Sequence, residues 1–217
     1  MAKCRKAGRS QAPTVCEEVA LLGQGYHFVA GLDEVGRGPL AGPVVAGVVI
    51  LPPNPKGKWR RLIRDSKQLT HAQRERALSY LQEEALALEV GISSNEEVDE
   101  FGIVDATRTA MQRALNSLAI LPQFLLLDAI SLPRVSIPQK SIVHGDALCL
   151  SIAAASIVAK VARDRIMEEQ DSLYPSYGFA SHKGYATERH LRVLKAKGPC
   201  PIHRRSFAPV KDWEPIQ

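Results

Sequence analysis

The sequence lacks any segment suited to crossing a membrane, and it has little cysteine for its length. No apolar run in the 217 residues approaches the roughly 18 that a membrane-spanning helix needs, so we expect a soluble chain. The basic first 16 residues contain no apolar core, which argues against a secretory signal. The four cysteines form neither a CxxC pair nor a cluster with zinc-finger spacing. Reduced thiols and a cytoplasmic location are therefore predicted.

Several common functional motifs are also missing. There is no GxxxxGK[ST] and no GxSxG, which excludes a P-loop and a serine-hydrolase elbow. The glycine-rich segment 36–42 resembles GxGxxG, but its third glycine comes one place late. A β-branched, strand-like segment follows it, whereas a dinucleotide-binding fingerprint opens a helix. A dinucleotide-binding domain is therefore not expected.

What is present is an ordinary globular composition, with 45% hydrophobic and 24% charged residues. Periodicity predicts strands at 27–35, 44–51, 88–94, 124–130 and 141–147, and helices at 70–87, 99–118, 147–170 and 187–197. Two successive strands followed by helix–strand alternation predict an α/β fold, a mixed sheet with helices on both faces. We expect a basic N-terminal tail over residues 1–25 and one catalytic domain over 26–217. That domain would include a C-terminal helical extension from about residue 172.

Positive charge is concentrated in two stretches. Residues 178–211 contain eight Lys or Arg and one acid, so this segment has a net charge of +7. The rest of the chain has a net charge of −2, which gives +5 in total. A second basic stretch, 56–67, contains a single acid. Such stretches favour a polyanion-binding surface, although an ordinary solvated face would have the same composition.

Carboxylates occur where an apolar strand makes them costly. Asp128 follows four apolar residues, and Asp33 and Glu34 end another apolar strand. Asp146 follows Gly145 and precedes a predicted helix. Two plainer roles stay open, a loop cap for Asp128 and a helix N-cap for Asp146. Neighbouring strand residues face opposite sides, so Glu34 either lies where the strand ends or contributes its backbone carbonyl.

If these four acids meet at one edge of the sheet, they need a cation, because like charges raise each other's pKa. An all-carboxylate set favours Mg²⁺ or Mn²⁺ over zinc. Two such ions about 4 Å apart activate a water and stabilise the leaving oxygen of a phosphodiester. Acids at the centre and basic stretches at the rim are what a nuclease needs.

The same motifs carry a family resemblance. The segment GLDEVGRGPLAGPV (31–44) is similar to the signature of type 2 ribonucleases H, in particular bacterial ribonuclease HII. The resemblance continues through DSK (65–67), LD (127–128), SIAAASIVAK (151–160), RD (163–164), YGF (177–179), HKGY (182–185) and HRRSF (203–207). It covers about residues 27–210. The order of the motifs makes it specific.

The resemblance implies an RNase H-like fold and an endonuclease that cleaves the RNA strand of RNA–DNA hybrids. It also implies incision 5′ of single ribonucleotides in duplex DNA, leaving 5′-phosphate and 3′-hydroxyl ends, and hence a role in ribonucleotide removal. Asp33, Glu34, Asp128 and Asp146 would be the catalytic, metal-binding carboxylates. The substrate-binding residues would be Gly36, Arg37, Gly38, Ser66, Lys67, Lys183, Tyr185 and Arg205. Gly36–Gly38 would contact the ribose 2′-hydroxyl, and Tyr185 would stack on the next sugar.

Two other functions stay open from the residues alone. A catalytically silent hybrid-binding module would have the same charge layout, and a DNA nuclease of related fold would cleave all-DNA duplexes. A monomer is the default expectation, and a sliding-clamp partner has no support in the sequence. His182 is a weak candidate for proton transfer, and Asp164 is expected to pair with a neighbouring arginine or to cap a turn.

Overall fold

The structure, a computed structural model, describes residues 12–214 and is built on one five-stranded mixed sheet. The strands are β1 (Val29–Val35), β2 (Val44–Ile50), β3 (Ala87–Ser93), β4 (Phe124–Asp128) and β5 (Gln139–Ile142). Their order across the sheet is β3-β2-β1-β4-β5. The strands β1, β2 and β3 pair antiparallel, whereas β4 and β5 run parallel to β1.

Helices cover both faces of the sheet. They are α1 (Cys16–Leu22), α2 (His71–Glu84), α3 (Asn95–Ser117), α4 (Gly145–Leu148), α5 (Leu150–Leu173), α6 (Phe179–His182) and α7 (Glu188–Lys197). One core lies between α3 and the sheet, and a second lies where α5 and α2 pack on the other face. The predicted mixed α/β fold is confirmed. No helix in the part of the chain that the structure describes is long and apolar enough to span a membrane.

Local signals explain where the helices begin. Thr70 accepts a hydrogen bond from the Gln73 amide, while the Gln73 side chain accepts one from the Thr70 amide, a reciprocal capping box. Ser94 and Glu97 form the same box at α3. This helix therefore begins four residues earlier than its hydrophobic spacing predicts, and it is interrupted at Gly102, whose φ is 77°.

The segment between β4 and α5 differs from the sequence prediction. A strand over 141–147 was expected, but β5 ends at Ile142. His144 then takes a left-handed conformation, and Gly145 begins the short helix α4. The prediction was wrong here because the apolar pattern of the strand gives no signal for this turn.

The N-terminal segment predicted as a basic tail contains an ordered helix in its second half. Leu21 of α1 is buried in a small core with Val29 and Leu126. Glu18 accepts a hydrogen bond from the Ser151 amide at 2.8 Å, in the first turn of α5. The basic residues of the first 11 positions lie outside the described residues.

The helix α5 lies unusually close to the sheet because glycines face it. A Cβ at Gly31 would overlap the backbone of Ser151, and a Cβ at Gly47 would overlap the carbonyl oxygen of Ala155. Ala155 lies in this contact, and the small residues of 153–156 are all buried. The sheet and α5 therefore fit backbone to backbone.

Replacing Gly47 with alanine should destabilise the fold. The added methyl group would overlap backbone atoms of α5, which cannot move aside as a flexible side chain could. We therefore expect a loss of about 1–3 kcal/mol in the free energy of unfolding. Urea titration measures it. Gly23→Ala is the matched control, because its Cβ would lie 3.4 Å from the nearest atom, the Ala20 carbonyl oxygen. Equal stabilities of the two variants would contradict the close-approach argument.

Candidate active site

The register of two parallel strands brings the first two acids together. In β1 and β4, Leu32 pairs with Leu127, so Asp33 and Asp128 follow at the same level of neighbouring strands. Both β1 and β4 are apolar and buried up to this point. The acids therefore stand at one edge of a hydrophobic sheet.

The third acid comes from the turn before α5. Asp146 lies in α4, and the backbone amide of the preceding Gly145 donates to Asp128 Oδ1 at 2.8 Å. One carboxylate oxygen from each of Asp33, Asp128 and Asp146 lies within 4.8 Å of the others. Asp146 lies within α4 rather than at an N-cap, so its capping role is not realised. We call these three residues the carboxylate cluster.

The electrostatics of the carboxylate cluster are unfavourable without a cation. Burial, together with the charges of Glu34 and Asp128, raises the pKa of the Asp33 carboxyl well above its ordinary value. Burial and the nearby Asp146 raise the pKa of Asp128, despite its hydrogen bond from Gly145. Asp33 and Asp146 are only 4% and 5% exposed, so water screens them little.

A lysine ammonium stands beside this cluster. Lys67 Nζ donates to Asp146 Oδ2 at 3.2 Å, and its side chain is 77% exposed whereas that of Asp146 is 8% exposed. Partial burial of Lys67 opposes its charge, but Asp146, Asp65 and Asp33 outweigh it and raise the pKa of Lys67. Lys67 therefore reaches in from solvent and partly compensates the acids.

Glu34 lies near the carboxylate cluster without belonging to it. Arg37 donates to Glu34 Oε1 at 3.3 Å, and the other oxygen, Oε2, is buried without a hydrogen-bond partner among residues 12–214. Burial raises the pKa of Glu34, and Arg37 offsets only part of that effect. Its ligand role stays a prediction.

The donor set fits a hard divalent cation. All candidate ligands are carboxylate oxygens, three of them converge, and a fourth acid nearby offers an unpartnered buried oxygen. Mg²⁺ and Mn²⁺ prefer such oxygen ligands. A bound cation would also relieve the repulsion that raises the pKa of Asp33.

The glycine-rich segment 36–42, which follows β1 and which we call the glycine loop, lies beside Tyr185, the predicted stacking residue. Arg37 and Gly38 are exposed, and an added Cβ at Gly38 would lie 3.9 Å from the ring of Tyr185. Tyr185 is 45% exposed. The backbone amide of Leu40 donates to the carbonyl of Gly184 at 2.8 Å, which joins the two segments. Residues far apart in sequence thus form one continuous surface.

Three other predicted substrate contacts have protein partners. The Ser66 hydroxyl is buried and lies 2.7 Å from that of Ser156. Lys183 donates to Glu168 at 2.7 Å, and its side chain is 14% exposed. The backbone amide of Arg205 donates to Asp99, while its side chain lies at the surface. Their substrate roles stay predictions.

Two further residues take structural positions. Both ring nitrogens of His182 bond to backbone, one with the Tyr177 carbonyl at 2.8 Å and the other with the Gly184 amide at 3.2 Å. This histidine therefore holds the loop before Tyr185 and is not free for proton transfer. Asp164 forms the expected ion pair with an arginine, Arg74, at 3.3 Å.

Sequence reasoning assigned no role to three buried polar side chains beside the site. Arg163 and Arg204 are fully buried and donate to backbone carbonyls of the glycine loop, and His190 contacts the Tyr185 carbonyl at 2.9 Å. Arg163 and Arg204 belong to motifs of the family resemblance, RD (163–164) and HRRSF (203–207), but nothing in those motifs indicates that their side chains are buried. His190 is indistinguishable in sequence from the polar residues around it.

Comparisons with known proteins agree on one family. A family model described as Ribonuclease HII matches residues 30–210. The chain is 53% identical over 199 residues to a Ribonuclease HII of Dehalococcoides mccartyi (strain ATCC BAA-2100), covering 92% of this chain and 94% of that protein.

Solved structures are similar as well. The ribonuclease H2 from Pyrococcus horikoshii OT3 matches with a TM-score of 0.73 and 30% identity, covering 85% of this chain and 96% of that one. A chain of the PCNA:RNase HII complex from Archaeoglobus fulgidus matches with a TM-score of 0.68 and 26% identity, covering 81% and 91%.

Replacing Asp33 with asparagine should stabilise the metal-free protein. Burial and the neighbouring acids raise the folded-state pKa of Asp33 above its ordinary value, so ionising this carboxyl costs the folded state stability as pH rises above that ordinary value. If removing this charge recovers at least ~1 kcal/mol, Tm in EDTA rises by about 2–4 °C. Adding Mn²⁺ should stabilise the wild type more than the variant.

Thermal melts with EDTA and with Mn²⁺ measure both effects. Asp105→Asn is the control, since this exposed carboxylate pairs with Arg108 away from the cluster, and its Tm should change by less than about 1 °C. A lower Tm for Asp33→Asn in EDTA would refute the view that the acids repel one another.

Proposed function

Because the chain belongs to the ribonuclease HII family, we propose that its carboxylate cluster is the catalytic centre of an endonuclease. The enzyme cleaves the RNA strand of RNA–DNA hybrids and uses a divalent metal, Mg²⁺ or Mn²⁺. The observation that carries the assignment to this site is the convergence of Asp33, Asp128 and Asp146, with one oxygen of each within 4.8 Å of the others.

The residues that would hold the metal follow from the geometry. Asp33, Asp128 and Asp146 would bind one ion, and Glu34 Oε2, buried without a hydrogen-bond partner among residues 12–214, supports a fourth ligand at a second ion. Such ions supply an activated water and charge stabilisation at the leaving 3′-oxygen, giving 5′-phosphate and 3′-hydroxyl ends. The hydrogen bond from the Gly145 amide fixes the orientation of the Asp128 carboxylate.

Recognition of the ribonucleotide is proposed for the glycine loop. The amides of Arg37 and Gly38 donate to no oxygen among the described residues, and both residues are exposed. Free amide donors suit the 2′-hydroxyl, which is the group that distinguishes RNA from DNA. Incision 5′ of a single ribonucleotide in duplex DNA would depend on this contact, and a role in ribonucleotide removal follows.

Lys67 suits the phosphate next to the scissile bond. Its ammonium lies 3.2 Å from Asp146, and the side chain is largely exposed, so it is able to contact a phosphate at the edge of the carboxylate cluster. The buried Ser66 hydroxyl bonds with Ser156 and so supports the short 3₁₀ helix that carries Lys67. Lys183 and Arg205 are weaker candidates, because protein partners already engage them in part.

The domain organisation is also a proposal. Residues 26–217 would form the catalytic domain, and the segment from about 172 would be its substrate-binding extension. The nearness of Tyr185 to Gly38 supports this, because it joins the extension to the glycine loop. A basic tail is retained for the first part of 1–25, whereas α1 packs on the domain.

Partners beyond the nucleic acid rest on likeness alone. The Archaeoglobus fulgidus relative was solved as a complex with PCNA, and a sliding-clamp partner for this chain is proposed only on that ground. A monomeric state and a cytoplasmic location likewise stay proposals.

The function is tested by cleavage of three end-labelled duplexes: one with a single ribonucleotide, one RNA–DNA hybrid and one all-DNA. We expect a nick 5′ of the ribonucleotide with Mg²⁺ or Mn²⁺, none in EDTA, and an intact all-DNA duplex. Binding without cleavage in either metal would favour the silent hybrid-binding module. Cleavage of the all-DNA duplex would indicate a DNA nuclease.

Asp128→Asn should abolish most of this activity while the protein stays folded. Losing one charged ligand removes transition-state stabilisation, so we expect kcat to fall about 100-fold or more in Mg²⁺. Glu83→Gln, at an exposed carboxylate of α2, is the control and should keep kcat within about twofold. Near-normal turnover of a folded Asp128→Asn would exclude the proposed ligand set.

Tyr185 should act through its ring rather than its hydroxyl. Tyr185→Ala removes the stacking surface, worth about 1–2 kcal/mol, and should lower kcat/KM for the single-ribonucleotide duplex about tenfold. Tyr185→Phe keeps the ring and should stay within about threefold of wild type. Steady-state kinetics distinguish the two, and an equal loss in both variants would assign the effect to the hydroxyl.

A further inference from the structure

Two buried arginines hold the glycine loop, and their guanidinium groups form no hydrogen bond to a carboxylate among the described residues. Arg163, on α5, and Arg204, in the C-terminal segment, are each 0% exposed. Every hydrogen bond that their guanidinium groups make among the described residues goes to a backbone carbonyl. Burying a guanidinium without a bonded counterion is costly, which suggests a specific purpose.

Arg204 donates hydrogen bonds to several backbone carbonyls of the glycine loop. Its guanidinium donates to the carbonyl oxygens of Gly36, Arg37, Pro39 and Gly42, at 2.5 to 3.1 Å. Five donors in a planar fork make this possible, and a lysine ammonium has only three donors at one point. The loop therefore wraps around this side chain.

Turning the carbonyls inward turns the amides outward. In a trans peptide the C=O and the following N–H point in opposite directions. Because the Gly36 and Arg37 oxygens face Arg204, the N–H groups of Arg37 and Gly38 point away from it, and these amides have no partner among residues 12–214. Arg204 thus sets the direction of the two free donors.

Arg163 joins this loop to the segment before Tyr185. It donates to the carbonyls of Ala41 at 3.1 Å, Pro43 at 2.9 Å and Lys183 at 2.9 Å. A Cβ at Gly36, whose φ is +96°, would overlap the Arg163 side chain, so the loop closes directly onto this arginine. Burial lowers the pKa of Arg163 to about 10 and that of Arg204 to about 9, so both remain charged at neutral pH.

We propose that Arg204 is a positioning residue for ribonucleotide recognition: it aims the Arg37 and Gly38 amides at the 2′-hydroxyl. Arg163 assists by fixing Tyr185 against the same loop. This inference rests on the proposed role of the glycine loop. Neither arginine contacts substrate, because both are fully buried. The two arginines therefore act on sugar specificity indirectly, by positioning the loop and the tyrosine that would contact the sugar.

Arg204→Lys tests the proposal, because it keeps the charge and removes the planar fork. We expect kcat/KM for the single-ribonucleotide duplex to fall at least tenfold. Arg204→Lys combined with Tyr185→Ala should lose clearly less than the product of the two single losses, since both act on one surface. Met111→Ala, a cavity variant in the core beneath α3, is the stability control and should keep kcat/KM within about twofold.

Hydrogen exchange on the free protein gives a readout that needs no activity. The Leu40 and Gly42 amides bond to Gly184 and Ile202 carbonyls, so they should exchange at least tenfold faster in Arg204→Lys, and not in Met111→Ala. A kcat/KM within twofold of wild type, fully multiplicative losses or unchanged exchange would overturn the proposal.

If Arg204→Lys does not fold, Arg163→Lys is judged by the same criteria. A wild type that fails to cleave would refute the proposed function, while the exchange result would still decide whether Arg204 holds the loop.

Discussion

Repulsion between buried carboxylates is the constraint around which the site is organised. The parallel register of β1 and β4 fixes the buried Asp33 beside the half-buried Asp128 at the edge of an apolar sheet, where water screens Asp33 little. Two neighbouring groups offset that cost in part, the Gly145 amide bonded to Asp128 and the Lys67 ammonium beside Asp146. The repulsion that remains is what a divalent cation bound at the proposed site would neutralise.

The rest of the molecule holds this edge rigid. Gly31 and Gly47 let α5 lie on the sheet backbone to backbone, and α4, which carries Asp146, runs directly into α5. Any shift of α5 would therefore move Asp146 relative to Asp33. The buried arginines do the same for the proposed recognition surface, since they tie the glycine loop to the segment of Tyr185 through backbone carbonyls.

The sequence predicted the parts of this structure that have a local cause. Asp33, Glu34 and Asp128 stood out because they end apolar runs, and Asp146 because it follows Gly145 and precedes a predicted helix. The turn at His144 was missed because the prediction followed the apolar residues of 141–147 and carried the strand through Gly145 and Asp146, although both residue types are uncommon in strands. The roles of Arg163 and Arg204 could not be predicted, because burial of an arginine depends on carbonyls brought close only by the tertiary fold. The family resemblance supplied substrate and roles that composition alone left open.

The contact between Glu18 and Ser151 has a consequence for how the chain folds. The carboxylate supplies an acceptor to the first turn of α5 from 133 residues earlier in the sequence. During synthesis α1 emerges first and has no helix end to cap until most of the polypeptide is made. The hydrogen bonding at the start of α5, only a few residues from Asp146, is thus completed only when α1 packs against residues that are synthesised much later. The carboxylate cluster would therefore assemble only after the chain has been made as far as Asp146 and the start of α5.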